Sequence, residues 1–123
     1  MHRFVFAAVL AAAVSLAACG GDGASSVDPV PTPGPVVTSA VVQATPANQF
    51  TPGTINLAVG GSVEFDFGPV AHDVFFDGAP SGAPSNITAP SFNTSVSRTF
   101  TAKGRYVYNC HIHPGMSGVV VVQ

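Results

Sequence analysis

Four neighbouring residues near the C-terminus carry side chains that bind soft metal ions. Cys110, His113 and Met116 follow one another at intervals of three residues, and His111 comes directly after the cysteine. Thiolate and thioether groups favour copper, especially Cu(I), and imidazole suits copper in either oxidation state. Two histidines and one cysteine in a trigonal arrangement, with a weak axial methionine, form the ligand set of blue-copper electron-transfer sites.

A site of this kind needs a second histidine from another part of the chain. The chain has four histidines, and His2 lies in a predicted export signal. Apart from His111, this leaves His72, which opens a strand-like run after a proline-containing turn. Taken singly, His72, Cys110 and Met116 would each more often be structural residues. Their combination predicts one copper ion held by His72, Cys110, His113 and Met116.

Short strands separated by turns must position these side chains. The 13 glycines and 11 prolines among 123 residues indicate many turns and little long helix. Between 62 and 67, Val63, Phe65 and Phe67 alternate with polar residues, which is the period of a half-buried strand. Other strand-like runs are 39–44, 54–59, 72–76, 92–100, 105–110 and 119–122, and residues 77–90 have the composition of a surface loop. We predict an all-β antiparallel sandwich of six to eight strands.

Residues 41–122 resemble a cupredoxin of the plastocyanin, pseudoazurin and amicyanin group. A histidine followed by an apolar strand is matched by His72 and the residues after it. The Gly-x-Tyr-x-Tyr-x-Cys strand is matched by residues 104–110, and the Cys-x2-His-x2-Met loop by residues 110–116. This loop has the amicyanin length and is shorter than that of plastocyanin.

The resemblance implies a Greek-key β-sandwich with one type 1 copper ion, which carries single electrons between redox proteins. It also implies that the Nδ1 atoms of both histidine ligands face the metal. His113 would be the electron port, inside an apolar patch with Pro114, Gly115 and Pro69. We expect redox partners to dock on this patch, with little electrostatic steering because few charges are present, and we expect a monomer.

Two residues depart from the patterns of related copper proteins. Cupredoxins often have asparagine after the first histidine, where it helps to tie the ligand loops together, and this chain has Asp73. A carboxylate there would favour oxidised copper and lower the potential, or introduce a pH dependence. Multicopper oxidases have a His-Cys-His triplet that leads to a trinuclear cluster, but Asn109 replaces its first histidine here. We therefore predict that His111 is a loop residue that faces solvent.

The N-terminal 18 residues are predicted to be an export signal. An apolar run from Phe4 to Ala18 is too short to span a membrane, which takes roughly 20 residues. It ends in Leu-Ala-Ala-Cys, which resembles the lipobox of bacterial lipoproteins and implies lipid attachment at Cys19. The alternative is ordinary cleavage after Ala-x-Ala. Gly20, rather than aspartate, favours the outer membrane over the inner membrane of the cell envelope.

This assignment divides the chain into a signal (1–18), a lipid-anchored tether rich in Gly, Pro and Ser (19–37) and a copper domain (38–123). The tether would hold the domain off the membrane. With Cys19 blocked by lipid, Cys110 is the sole free thiol of the mature chain. Metal ligation is one reason for a lone cysteine in an oxidising compartment.

Several function classes are disfavoured by the sequence. Four Lys and Arg residues and a net charge of -2 provide no electrostatic surface for nucleic acid. Because we find no nucleophile elbow, paired catalytic carboxylates, phosphate loop or zinc motif, we expect no enzyme. A binuclear copper site would need two ligand cysteines. Two alternatives to an electron carrier remain: a periplasmic copper carrier or buffer that uses the same ligands, and a metal-free interaction module.

Overall fold

The computed structural model describes residues 34–123, which form eight strands. The predicted signal and Cys19 lie outside the described residues, so the predicted division into signal, tether and copper domain remains a prediction. Within the described part, no helix is long and apolar enough to cross a membrane. The strands are β1 (Val37–Thr45), β2 (Gln49–Thr51), β3 (Thr54–Phe67), β4 (His72–Val74), β5 (Ile87–Ser91), β6 (Thr94–Thr99), β7 (Gly104–Asn109) and β8 (Ser117–Val122).

One long strand, β3, connects most of the domain. Its first part, 54–57, pairs with β8, and its second part, 62–67, pairs with both β1 and β6. The resulting six-stranded sheet has the order β2-β1-β3-β8-β7, with β6 attached to β3. Strands β4 and β5 form a separate two-stranded sheet. The predicted all-β class is confirmed, but β3 pairs in parallel with β1 and β8, so the sheet is mixed rather than purely antiparallel.

The predicted alternation in β3 is present. Val63, Phe65 and Phe67 are buried in the core, and Glu64 on the opposite face is exposed. Residues 54–59 and 62–67 were predicted as two strands, and the structure continues the strand through Gly60 and Gly61. Gly60 has a φ of 81°, a conformation that glycine adopts without the steric cost that a Cβ atom brings.

Aromatic side chains fill the core directly below the candidate site. The ring of Tyr108 lies 4.9 Å from that of Phe50, 5.3 Å from that of Phe65 and 6.0 Å from that of Phe76, measured between centroids. All three pairs meet edge to face, an arrangement that contributes about 0.5–1.5 kcal/mol per pair beyond the burial of apolar area. Tyr108 stands two residues before Cys110, so this packing fixes the end of β7.

Tyr108 also explains why Gly118 occupies its position. The two residues are partners in the β7–β8 ladder, and a Cβ atom on Gly118 would lie 2.3 Å from the Tyr108 hydroxyl oxygen. The buried hydroxyl has no hydrogen-bond partner among the described residues, and burial raises the pKa of the phenol well above its usual value. The ring therefore needs the space over a glycine in order to fit between the strands.

The small sheet is held against β7 and β6 by hydrogen bonds. Phe75 and Asn109 exchange two backbone hydrogen bonds of 2.9 Å. The Phe76 N–H donates to the side-chain oxygen of Asn86 over 2.9 Å. Arg98 on β6 donates to the backbone carbonyls of Ser85 and Asn86. These bonds fix β4, whose first residue is His72, relative to the strand that leads to Cys110.

Local sequence patterns missed two short strands. Residues 77–90 were predicted as a loop, but β5 begins at Ile87, where it pairs with Val74 of β4. Strand β2 was not predicted, and it exists through pairing with residues 43–45 of β1. Both strands are three to five residues long and depend on a partner strand, so neither leaves a clear alternation of its own.

Candidate metal centre

The loop between β7 and β8 is a closed turn that carries three of the predicted ligands. The Cys110 N–H donates to the Met116 carbonyl over 2.9 Å, and the Met116 N–H donates to the His113 carbonyl over 3.1 Å. Pro114 restricts φ, and Gly115 adopts a φ of 85°, which suits a tight turn. Because both ends continue into paired strands, the loop backbone is anchored on each side.

His72 reaches the same place from the two-stranded sheet. Its side chain is fully buried, and its Nε2–H donates to the carbonyl oxygen of Thr45 at the end of β1 over 3.2 Å. This bond places the proton on Nε2 and leaves the lone pair of Nδ1 free. A hydrogen bond from the second ring nitrogen is the usual device that orients a metal-binding histidine.

Three donor atoms converge in the interior of this end of the domain. The Nδ1 atoms of His72 and His113 are 3.0 Å apart, and the Sγ of Cys110 lies 3.9 Å from the first and 3.6 Å from the second. Among the described residues, these three side chains form the one cluster of His, Cys, Asp and Glu with metal-binding geometry. The arrangement matches the expectation that both histidines present Nδ1.

The size of this triangle fits a metal ion. The point equidistant from the three atoms lies about 2.1 Å from each, close to the ~2.0–2.3 Å of metal–nitrogen and metal–sulfur bonds. Two imidazole nitrogens and one thiolate around such a point form a trigonal set, which suits copper. The fit is a property of the side-chain positions, since the three donor atoms already face one another.

Burial favours the neutral form of the His72 imidazole, which is the form that binds metals. Removal from solvent lowers the pKa of His72 below its usual value, and repulsion from His113 lowers this pKa further. The Thr45 carbonyl and Asp73 act in the opposite direction but do not reverse the effect. A neutral imidazole keeps its Nδ1 lone pair available at neutral pH, as metal binding requires.

Met116 completes the loop from the side of β8. Its side chain is buried, and its backbone carbonyl accepts the hydrogen bond from Cys110. It lines a small cleft together with Asn48, Gln49 and Phe50. A buried thioether on the same turn as the thiolate is suited to the role of weak axial ligand that the sequence assigns to it.

His111 takes no part in the donor cluster. Its ring stacks on Phe75 with a centroid distance of 3.8 Å and an angle of 10°, and its Nε2 lies 2.5 Å from Oδ2 of Asp77. The side chain is 47% exposed, so it is a surface residue, as predicted. The stacking and the hydrogen bond to Asp77 were not predicted, because they depend on how the loop after β4 folds back over β7.

Apolar side chains surround the one ligand that approaches the surface. His113 is half-buried, whereas its neighbours Ile112 and Pro114 are exposed. The loop therefore presents exposed apolar side chains on both sides of His113, and we call Ile112, His113 and Pro114 the His113 patch.

Comparison with known proteins decides the family. A model described as copper binding proteins of the plastocyanin/azurin family matches residues 37–123. The chain belongs to this family. The predicted cupredoxin fold and the predicted type 1 copper cofactor are thereby confirmed. No curated protein sequence matches the chain.

Solved structures of cupredoxins resemble this domain. An amicyanin variant in its reduced Cu(I) form has 28% sequence identity and a TM-score of 0.59, and the match covers 71% of this chain and 84% of that chain. A pseudoazurin from Sinorhizobium has 26% identity and a TM-score of 0.54, and the match covers 69% and 73%. A copper-containing nitrite reductase from Thermus scotoductus SA-01 has 29% identity and a TM-score of 0.60; the match covers 69% of this chain but 22% of that longer chain.

Proposed function

We propose that this cupredoxin is a mononuclear type 1 copper protein that carries single electrons between redox partners outside the cytoplasm. The observation that carries this proposal is the convergence of His72 Nδ1, Cys110 Sγ and His113 Nδ1 on one point. Copper bound at this point would supply a one-electron couple between Cu(II) and Cu(I). The amicyanin and pseudoazurin likeness favours a carrier over an enzyme, and a nitrite reductase contains a related domain within a much longer chain.

We assign His72, Cys110 and His113 as the strong ligands and Met116 as the weak axial ligand. The thiolate and the two neutral imidazoles form the trigonal set, and the buried thioether lies on the same turn as two of them. In such sites the axial ligand and the surroundings of the cysteine sulfur tune the reduction potential. Cys110 would hold the metal through its thiolate, and Met116 would adjust the potential.

A rigid frame around these residues favours fast electron transfer. His72 is fixed by the Thr45 carbonyl, and Cys110 is fixed by the Met116 carbonyl. The backbone pair between Phe75 and Asn109 joins the strands that carry them. Because the two oxidation states must share one ligand arrangement, a frame that resists movement keeps the reorganisation small. The frame would thus keep the donor atoms in the same positions for Cu(II) and for Cu(I).

We propose that electrons enter and leave through His113. Its ring has one nitrogen in the donor cluster, and the residue is half-buried beneath the His113 patch. Small apolar patches support brief encounters with a partner, and the scarcity of charged residues in the chain provides little electrostatic steering. The partners we propose are redox proteins that present a complementary apolar surface.

We also propose that the domain is lipid-anchored in the bacterial cell envelope, with the outer membrane favoured. The lipobox-like residues before Cys19 support this location. The chain enters the domain at Val37, and Thr45 at the other end of β1 contacts His72. Nine extended residues span about 26 Å, so the start of β1 lies that far from the end that contacts His72. Replacing Cys19→Ala should release the protein from membranes; unchanged attachment would contradict the anchor.

The test of electron transfer is reversible cycling without loss of metal. Copper-loaded protein is reduced and reoxidised repeatedly with small redox mediators in the presence of a weak copper chelator, and the bound copper is measured after each cycle. An electron carrier retains one copper per chain through many cycles. Rapid transfer of copper to the chelator would contradict electron transfer and support a copper carrier. Absence of any copper uptake would contradict both functions.

A further inference from the structure

Asp73 is a buried carboxylate that the ligand set does not use. It is the central residue of β4, directly after His72, and its side chain is 5% exposed. Buried acidic side chains are rare unless they are paired, because the loss of hydration is costly. The position of Asp73 beside a metal ligand therefore calls for a specific role.

The Asp73 carboxylate connects the two segments that carry the ligands. Its Oδ1 accepts a hydrogen bond from the backbone N–H of His111 over 2.6 Å, and His111 follows Cys110 directly. Such a short bond to a carboxylate is typical of charge-assisted hydrogen bonds, which are about twice as strong as neutral ones. Asp73 thus holds β4 and the Cys110 loop together, the task that the family often gives to asparagine.

The negative charge of Asp73 is not neutralised by a basic side chain. Within residues 34–123, the one contact between a basic and an acidic side chain joins His111 to Asp77. Arg98 directs its guanidinium to backbone carbonyls of Ser85, Ser97 and Asn86. A neutral asparagine would make the same hydrogen bond to His111, so the connection alone does not require a charge.

We propose that Asp73 lowers the reduction potential of the site by placing a negative charge beside it, in addition to tying the ligand segments together. This inference rests on the proposed electron-transfer function. On reduction, one electron passes from an external donor to Cu(II), which becomes Cu(I), and no covalent bond in the protein forms or breaks. A buried negative charge attracts the doubly charged ion more strongly than the singly charged ion, and it does so with little screening.

The test separates charge from hydrogen bonding with the full-length, copper-loaded protein. Asp73→Asn keeps an oxygen that accepts the His111 N–H and removes the charge. Asp77→Asn is the matched control, because Asp77 is 52% exposed and pairs with His111 rather than with a ligand. The reduction potential is measured by optical redox titration at pH 7, and the dissociation constants for Cu(I) and Cu(II) are measured separately by competition with chelators.

We expect Asp73→Asn to weaken Cu(II) binding about tenfold more than Cu(I) binding, which corresponds to a rise of about 59 mV for a one-electron couple. Asp77→Asn should change this ratio less than about threefold, because solvent screens an exposed charge. An unchanged or lower potential in Asp73→Asn, or equal shifts in the two variants, would overturn the proposal. If the unmodified protein does not cycle, the failure lies in the proposed function instead.

A second neutral variant guards against misfolding. Asp73→Ser offers a smaller neutral acceptor, and thermal unfolding of the copper-free proteins shows whether each variant folds. A raised potential in Asp73→Ser supports the role of the charge if Asp73→Asn shows the same rise or does not fold. If both variants fold but neither retains copper, the charge of Asp73 is needed to hold the metal rather than to set its potential, and the proposed effect on the potential is wrong.

Discussion

The two segments that supply the donor atoms differ in how they are held in place and in how close they lie to the protein surface. His72 lies on a strand, is fully buried and donates its outer nitrogen proton to Thr45. His113 lies on a loop, is half-buried and has exposed apolar neighbours. One segment therefore fixes the position of the metal, and the other connects the metal to the surface. The site combines a rigid interior with an open side because its ligands come from two differently packed segments.

The largest effect is expected from removing each histidine in turn. His72→Gly and His113→Gly should each greatly weaken copper binding. Loss of a residue that only hydrogen-bonds to a metal ligand typically costs about 10–100-fold in affinity, and loss of a ligand itself should cost more. Added imidazole should restore the colour of His113→Gly, since this side chain approaches the surface. It should not restore His72→Gly, whose site is buried. Titration of both variants with imidazole, followed by visible absorption, checks this difference; equal rescue would contradict it.

The support beneath the loop can be tested at Gly118. A Cβ atom there would meet the Tyr108 ring, which packs against three phenylalanines, and Tyr108 leads to Cys110. Gly118→Ala should therefore lower the free energy of unfolding by about 1–3 kcal/mol, as expected for overpacking. Denaturant unfolding of the copper-free protein measures this loss. Ser117→Ala at the neighbouring exposed position serves as the control and should change stability little.

A smaller effect is expected at Met116, which we propose as a weak ligand. Met116→Leu preserves the buried apolar volume but removes the thioether donor. Copper binding and colour should remain, and the potential should rise by about 59 mV for each tenfold loss of Cu(II) affinity relative to Cu(I). Optical redox titration measures this shift. Bleaching of the site in this variant would show that Met116 is a strong ligand.

The smallest effect is expected at His111. Its ring stacks on Phe75 and binds Asp77, away from the donor cluster. His111→Ala should leave the visible spectrum in place and change the potential by less than Met116→Leu does. The hydrogen bond to Asp73 is made by the His111 backbone, so it survives the substitution. Loss of colour in His111→Ala but not in His113→Ala would reverse the roles assigned to the two histidines.

Sequence alone was informative about the loop because its chemistry is local. Cys110, His113 and Met116 lie within seven residues between two strands, so any fold with a turn there brings them close together. His72 could be added because few histidines remain in the chain. The alternation of Val63, Phe65 and Phe67 likewise predicted the second part of β3, residues 62–67, without knowledge of its neighbours.

Contacts between distant segments could not be predicted in the same way. The Thr45 carbonyl that orients His72 is a backbone group, which any residue would supply. The bond from His111 to Asp73 joins residues that are 38 positions apart, and the composition of neither segment reveals it. Strand β5 owes its existence to pairing with β4, and its residues include the helix- and sheet-breaking Pro90.

The central claim is that Cys110 forms, with His72 and His113, a copper site able to carry electrons. The visible absorption spectrum of the purified protein after addition of one equivalent of Cu(II) tests it most directly, with Cys110→Ser measured in parallel. We expect an intense thiolate-to-copper charge-transfer band in the unmodified protein, which reductant bleaches and oxidant restores, and no such band in Cys110→Ser. A colourless copper complex of the unmodified protein, or an equally intense band in Cys110→Ser, would contradict the account.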